Sequence, residues 1–241
     1  MRQPRGATMP VACCFDIETT GLCKIKSQIT VICMTLYDTD RKRSIQKHVF
    51  NVCLAREESR DKEADLKLSV RTILNGSDVL VAYNGKSFDL PFLAAWINDA
   101  DHDMVESWQS KTIDFLHEAK ERIDSYIGMN QVAQENEIQL SKIATGKQAI
   151  IWAEERNWKK LEEYCSADVD VLLAIFQKAQ DIGIVMRAKK KAFDVKDRKS
   201  IVLTVTSALV VVSNLDQVAP QTALEPNTVN PSQTDIDDIF G

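Results

Sequence analysis

Five residues of this 241-residue chain have types and spacings suited to chemistry: Asp16, Glu18, Asp89, Tyr164 and Asp168. The first two stand in Phe15-Asp16-Ile17-Glu18-Thr19-Thr20-Gly21-Leu22, at the end of an apolar run that reads as a strand. A period of two puts both carboxylates on one face. Side by side they repel unless a cation lies between them, which suggests a hard divalent metal held by oxygen. A strand end carrying two solvated acids is the other reading. Asp89 follows the Asn84-Gly85 turn and opens a helix; it fits an N-cap that needs no chemistry, and it equally aims a carboxylate from the sheet edge toward whatever Asp16 and Glu18 bind. Tyr164 and Asp168, spaced i, i+4, share a helix face. Asp170 is rotated by roughly 200° and reads as a solvated acid. Tyr164 also fits a core aromatic with a wet hydroxyl.

Positioning these residues requires a mixed α/β fold. Segments 11–18, 30–37 and 45–52 are rich in Val, Ile, Cys, Thr and aromatics. The linkers Thr20-Gly21 and Asp38-Thr39-Asp40-Arg41 suit an antiparallel meander. A helix pattern over 57–74 closes at Asn75-Gly76, and a short buried strand follows at 79–82. A helix over 89–97 tolerates Pro91 only in its first turn. One or two helices fit 115–143, while Thr112-Ile113-Asp114 is too short to classify. The clearest helix is 158–179, with Leu161, Tyr164, Cys165, Val169, Leu172 and Phe176 spaced for one face. Residues 189–213 read as a hairpin bending near Asp197-Arg198-Lys199.

Composition narrows the possible roles. With 44% apolar and 27% charged residues the chain is ordinary for a globular protein. Its longest apolar stretch, 201–212, falls short of the roughly 20 residues a membrane span needs. Residues 1–10 lack a secretory pattern, so an intracellular setting, cytoplasm or nucleus, is expected. Cys13, Cys14, Cys23, Cys33, Cys53 and Cys165 form no C-x-x-C pair, and all are expected to be buried reduced thiols rather than a zinc site. The acids Asp216, Glu225, Asp235, Asp237 and Asp238 are unmatched by any Lys or Arg after Asn214, which leaves 30 charges of each sign before it. A neutral body does not attract nucleic acid through its overall field, so such binding needs local basic clusters and metal ions.

Asp16, Glu18, Asp89, Tyr164 and Asp168, in this order and with these neighbours, resemble the DnaQ-like (DEDD) 3'-5' exonucleases in their tyrosine branch, over about 11–176. The histidine branch has His where this chain has Glu163, and His48, His102 and His117 lie outside the motif. The resemblance implies an RNase H-like mixed sheet of an antiparallel meander plus parallel strands, flanked by helices. It implies that Asp16, Glu18, Asp89 and Asp168 hold two Mg²⁺ or Mn²⁺ ions and that Tyr164 orients or deprotonates water. It places Thr19 and Leu22 at the terminal nucleotide and Asn84 and Phe88 near the substrate strand, with single-stranded or frayed DNA favoured and RNA possible; Lys86, beside them, fits a phosphate contact. Asp114 matches a segment that relatives use structurally. Leu22 and Phe88 also fit ordinary core positions.

The expected organisation is an extension at 1–10, an exonuclease domain at 11–186, a basic hairpin at 187–213 and an acidic flexible tail at 214–241. Arg187, Lys189, Lys190, Lys191, Lys196, Arg198 and Lys199 form the best local candidate for holding phosphates. The tail ends in a segment whose Gln233, Ile236, Ile239 and Phe240 resemble a sliding-clamp binding box, with Ile239 in place of its first aromatic. A replication or repair accessory is the favoured reading; RNA trimming and a silent nucleic-acid or clamp-binding module are the alternatives.

Overall fold

β1 (Val11–Thr19) runs through the middle of a five-stranded sheet, and its alternation separates the two halves of the core. Ala12 and Cys14 face one cluster of buried residues, whereas Cys13, Phe15 and Ile17 face the other. The computed structural model describes residues 10–23, 25–97, 102–140, 144–188, 199–206 and 209–214. β2 (Ile29–Asp38) pairs antiparallel with β1, and β3 (Arg43–Asn51) pairs antiparallel with β2. On the other side β4 (Val79–Ala82) and β5 (Thr112–Asp114) run parallel to β1, giving the order β3-β2-β1-β4-β5. This is the mixed sheet of the expected RNase H-like fold.

One face is covered by α1 (Val52–Glu58), α2 (Arg60–Gly76), α3 (Asp89–Ile97) and α4 (His102–Ser110). The helix expected over 57–74 is thus two helices. Ser59 divides them: its N–H bonds the Ala55 carbonyl to close α1, and its hydroxyl accepts the Lys62 N–H to open α2. The opposite face is covered by α5 (Phe115–Ile123), α6 (Met129–Glu135), α7 (Gly146–Glu154) and the long α8 (Trp158–Asp181). Every apolar residue that sequence spacing placed on the α8 stripe is buried. At about 1.5–3 kcal/mol for each large apolar side chain, that stripe anchors the helix across β1 and β2.

β6 (Ile184–Arg187), β7 (Ser200–Thr206) and β8 (Leu209–Asn214) form a second, antiparallel sheet. Its first strand precedes residue 189, where the expected hairpin begins, so the pairing crosses the expected boundary at 186/187. The reason is apolar: Ile184 and Met186 are buried with Ile201, Leu203 and Val205 in the same core as α8. The cations Lys189, Lys190, Lys191, Lys196 and Arg198 lie outside the described residues, as do Gln233, Ile236, Ile239 and Phe240. Among the described residues no helix is long and apolar enough to cross a membrane.

Candidate active site

The site forms where one strand outruns its neighbour. β4 pairs with β1 only as far as Val81 opposite Cys14. Beyond that point Asp16 and Glu18 continue the face of Ala12 and Cys14, toward α8. β1 has lost its parallel partner there, and Asp89 takes over: its Oδ1 accepts the Ile17 N–H at 3.0 Å. A carboxylate distant in sequence is thereby fixed to the backbone between Asp16 and Glu18.

The loop from β4 to Asp89 is tightly built. Asn84 has a φ of 74°, and its carbonyl accepts the N–H groups of Ser87 and Phe88. A Cβ on Gly85 would sit 2.4 Å from the Ala82 Cβ and 3.6 Å from Asp89 Oδ2, so only glycine lets the loop pass this close. Asp114, at the end of β5, binds the loop from the far side. Its Oδ1 accepts the N–H of Asn84 at 2.8 Å and its Oδ2 that of Lys86 at 2.9 Å. The same Oδ1 accepts the Leu116 and His117 N–H groups at 3.1 and 3.2 Å, capping α5.

α8 supplies the opposite wall. The Cys165 thiol donates to the Asp16 carbonyl at 3.4 Å and approaches Asp16 Oδ2 at 3.9 Å. Its Sγ and one carboxylate oxygen each from Asp16 and Glu18 lie within 4.8 Å of one another. Asp168 follows by three residues and is 1% exposed; Glu18 is 8% and Asp89 4% exposed, while Asp16 is half-buried. Tyr164, one turn before Asp168, is buried and meets Trp152 edge-on with ring centroids 6.1 Å apart.

The electrostatics are those of crowded acids. Burial pushes the Asp89 carboxyl well above its usual range, the neighbouring Asp16 pushes it further, and the Ile17 N–H only partly offsets this. Burial likewise raises the Cys165 thiol, with Asp16, Glu18 and Asp168 among the negative neighbours that add to it. This donor set, mostly buried and mutually repulsive, fits hard divalent cations. Asp16, Glu18, Asp89 and Asp168 are the residues that would hold them.

The other residues named from sequence separate by environment. Thr19 is buried, and its Oγ1 donates to the Gly21 carbonyl at 2.7 Å. Leu22 is 80% exposed, which removes it from the core and leaves it on the loop that follows the acids. Phe88 packs against the core and lies 4.8 Å from Phe92 in a tilted ring pair. Lys86 is held by its backbone between Asp114 and the Gln109 side chain. Asp170, read as a solvated acid, is an exposed partner of Lys47 at 2.7 Å. His48 stacks on Phe50, and His117 contacts Glu121, both away from the acids.

Two features escape sequence reasoning. Cys165 reads as a core position of α8, yet its thiol borders the carboxylates. Asp114 reads as structural, but its loop partners lie 28 and 30 residues away and leave no local pattern. The expectation that all six cysteines are buried is corrected: Cys23 is exposed, in the loop that leaves the sheet after β1, and Cys53 is half-buried.

Comparison with known proteins agrees with this architecture. The family model described as RNase_H superfamily matches residues 13–180. No curated protein matches the chain. Among solved structures, E. coli exonuclease I in complex with a 5cy-dT13 oligonucleotide is 14% identical with a TM-score of 0.44, over 72% of this chain and 42% of that one. The metal-free E. coli ExoI-ssDNA complex is 15% identical with a TM-score of 0.41, over 64% of this chain and 41% of that one. The chain therefore spans about two fifths of those proteins, and likeness at this level carries no argument about activity.

Proposed function

The chain belongs to the RNase H superfamily, and on that footing we propose that it is a divalent-metal-dependent 3'-5' exonuclease of the tyrosine branch, acting on single-stranded or frayed DNA. What supports the reading is that Asp89 of α3 is tied to β1 through the Ile17 N–H, between Asp16 and Glu18, and that Cys165 of α8 has Asp16, Glu18 and Asp168 among its negative neighbours. Such a set is costly for a protein to bury without a cationic ligand.

Two Mg²⁺ or Mn²⁺ ions held there would supply a nucleophile from water at neutral pH and stabilise charge on the leaving oxygen. The chain's own residues do the remainder. Asp16 and Glu18 present oxygens from a rigid strand, Asp89 from a loop closed by Gly85 and Asp114, and Asp168 from a helix buried along one face. Tyr164 orients the attacking water. Thr19 and the exposed Leu22 meet the terminal nucleotide; Asn84, Lys86 and Phe88 border the strand behind it. Lys189, Lys190 and Lys191 hold its phosphates. The box of Gln233, Ile236, Ile239 and Phe240 docks the enzyme on a sliding clamp in replication or repair, and deleting 233–241 abolishes clamp capture.

The test is incubation of the purified chain with 3'- and 5'-labelled DNA and RNA oligomers in Mg²⁺, Mn²⁺ or EDTA. The expected result is a ladder shortening from the 3' end of DNA that EDTA abolishes. Cleavage that persists in EDTA, or that proceeds from the 5' end, defeats the proposal.

A further inference from the structure

Cys165 lies outside the residues used above, yet it is the donor that closes the triangle with Asp16 and Glu18. We propose that Asp16, Glu18 and Cys165 form a second binding mode of this site, for a thiophilic divalent ion of the Zn²⁺ class, and that its occupation switches the enzyme off. The inference rests on the exonuclease reading, because the carboxylates are the same ones.

The chemistry of the donors separates the two modes. Mg²⁺ is hard, takes oxygen and keeps several waters, so it has no use for a thiol. Zn²⁺ takes sulfur at about 2.3 Å and carboxylate oxygen at about 2.0–2.2 Å, and three protein ligands plus an open position are a common set for it. Donors around a tetrahedral ion stand roughly 3.5 Å apart. The three atoms here lie within 4.8 Å of one another, so small side-chain rotations complete the set. The thiol already points at Asp16, through its carbonyl at 3.4 Å and its carboxylate at 3.9 Å. On binding, the Cys165 S–H bond breaks, a sulfur–metal bond forms and the proton leaves to solvent, with no change of oxidation state. An ion bound this way takes Asp16 and Glu18 from the hard pair.

Co²⁺ serves as the probe, since its visible d–d bands report occupancy and a near-ultraviolet charge-transfer band reports thiolate. The full chain is expected to show both. Cys165→Ser and Cys165→Ala keep the d–d bands, lose the charge transfer and require at least about tenfold more Zn²⁺ for inhibition, the scale on which even outer partners of a metal site count. Cys33→Ser, which removes the thiol opposite Asp16 in the strand register, keeps the charge transfer. A charge-transfer band unchanged in Cys165→Ser, or lost in Cys33→Ser alone, overturns the assignment. If the unaltered chain cleaves DNA with Mg²⁺ but binds Co²⁺ without charge transfer, this inference fails and the exonuclease reading stands. If it neither cleaves nor takes up an ion, both fail.

Discussion

Two parallel strands of the sheet, β4 and β5, each lead to an aspartate, and the two acids live in opposite circumstances. Asp114 receives four backbone N–H groups, from Asn84, Lys86, Leu116 and His117. Asp89, also buried, receives the Ile17 N–H and its own backbone N–H, and sits against Asp16. Donors surround the first charge, which makes it a structural fastener. The second is left with too few donors and a negative neighbour, the condition under which a carboxylate favours a cation. The supply of donors, more than burial or position on the sheet, separates an acid that fastens the fold from one that we propose holds a cation.

The largest test of this contrast is Asp89→Asn. The amide oxygen still accepts the Ile17 N–H, while the charge is gone. Metal-dependent cleavage should fall by on the order of 10³-fold, since a misheld ion forfeits several kcal/mol of transition-state stabilisation. The metal-free protein should melt higher, because the cost of burying a carboxylate, and then its repulsion with Asp16, are removed. A variant that melts lower and still cleaves would erase the distinction between the two aspartates.

Asp114→Ala should act on the fold. It strips a cap and two loop anchors and should cost about 2–4 kcal/mol in urea unfolding. Mg²⁺ should still raise its melting temperature, as binding to the folded state requires. Loss of that Mg²⁺ response with stability unchanged would make Asp114 a ligand after all.

Gly85→Ala tests the loop between the two acids. Its methyl group meets Ala82 at 2.4 Å, so a stability loss of about 1–3 kcal/mol is expected from overpacking. Weaker Mg²⁺ binding should accompany it, measured by calorimetry, as Asp89 moves with the loop.

The smallest effect is in pH. Asp89 binds its proton more tightly folded than unfolded, chiefly through burial and then through Asp16. Its contribution to stability is complete below the ordinary carboxylate range and is lost as pH rises through the elevated native value. Denaturation midpoints of the protein in EDTA should therefore drift downward with rising pH, and saturating Mg²⁺ should flatten that drift. An upward drift in EDTA would mean that Asp89 is stabilised as the anion.

Much of this arrangement is legible in the sequence because it repeats local periods. The alternation of β1 carries Asp16 and Glu18 onto the face of Ala12 and Cys14, and the spacing of Tyr164 and Asp168 is one turn of α8. The division of 57–74 is harder to read, since Ser59 serves both helices without interrupting the charge pattern. α4 and α7 are nine residues each, too short for their period to stand out from the surrounding sequence. The loop donors of Asp114, from Asn84 and Lys86, and the approach of Cys165 to Asp16 arise from contacts 28 to 149 residues apart, which no window of sequence displays.

The brevity of β4 has a consequence for how this chain can change. Its pairing with β1 ends at Cys14, three positions before Ile17, so the open notch beside β1 is set by length as well as by identity. A single inserted residue would exchange the strand's side chains between the two core faces and carry its last amide toward the space that Asp89 holds. Point substitutions can drift through this strand while its apolar character survives, but insertions and deletions within it should be purged among functional descendants.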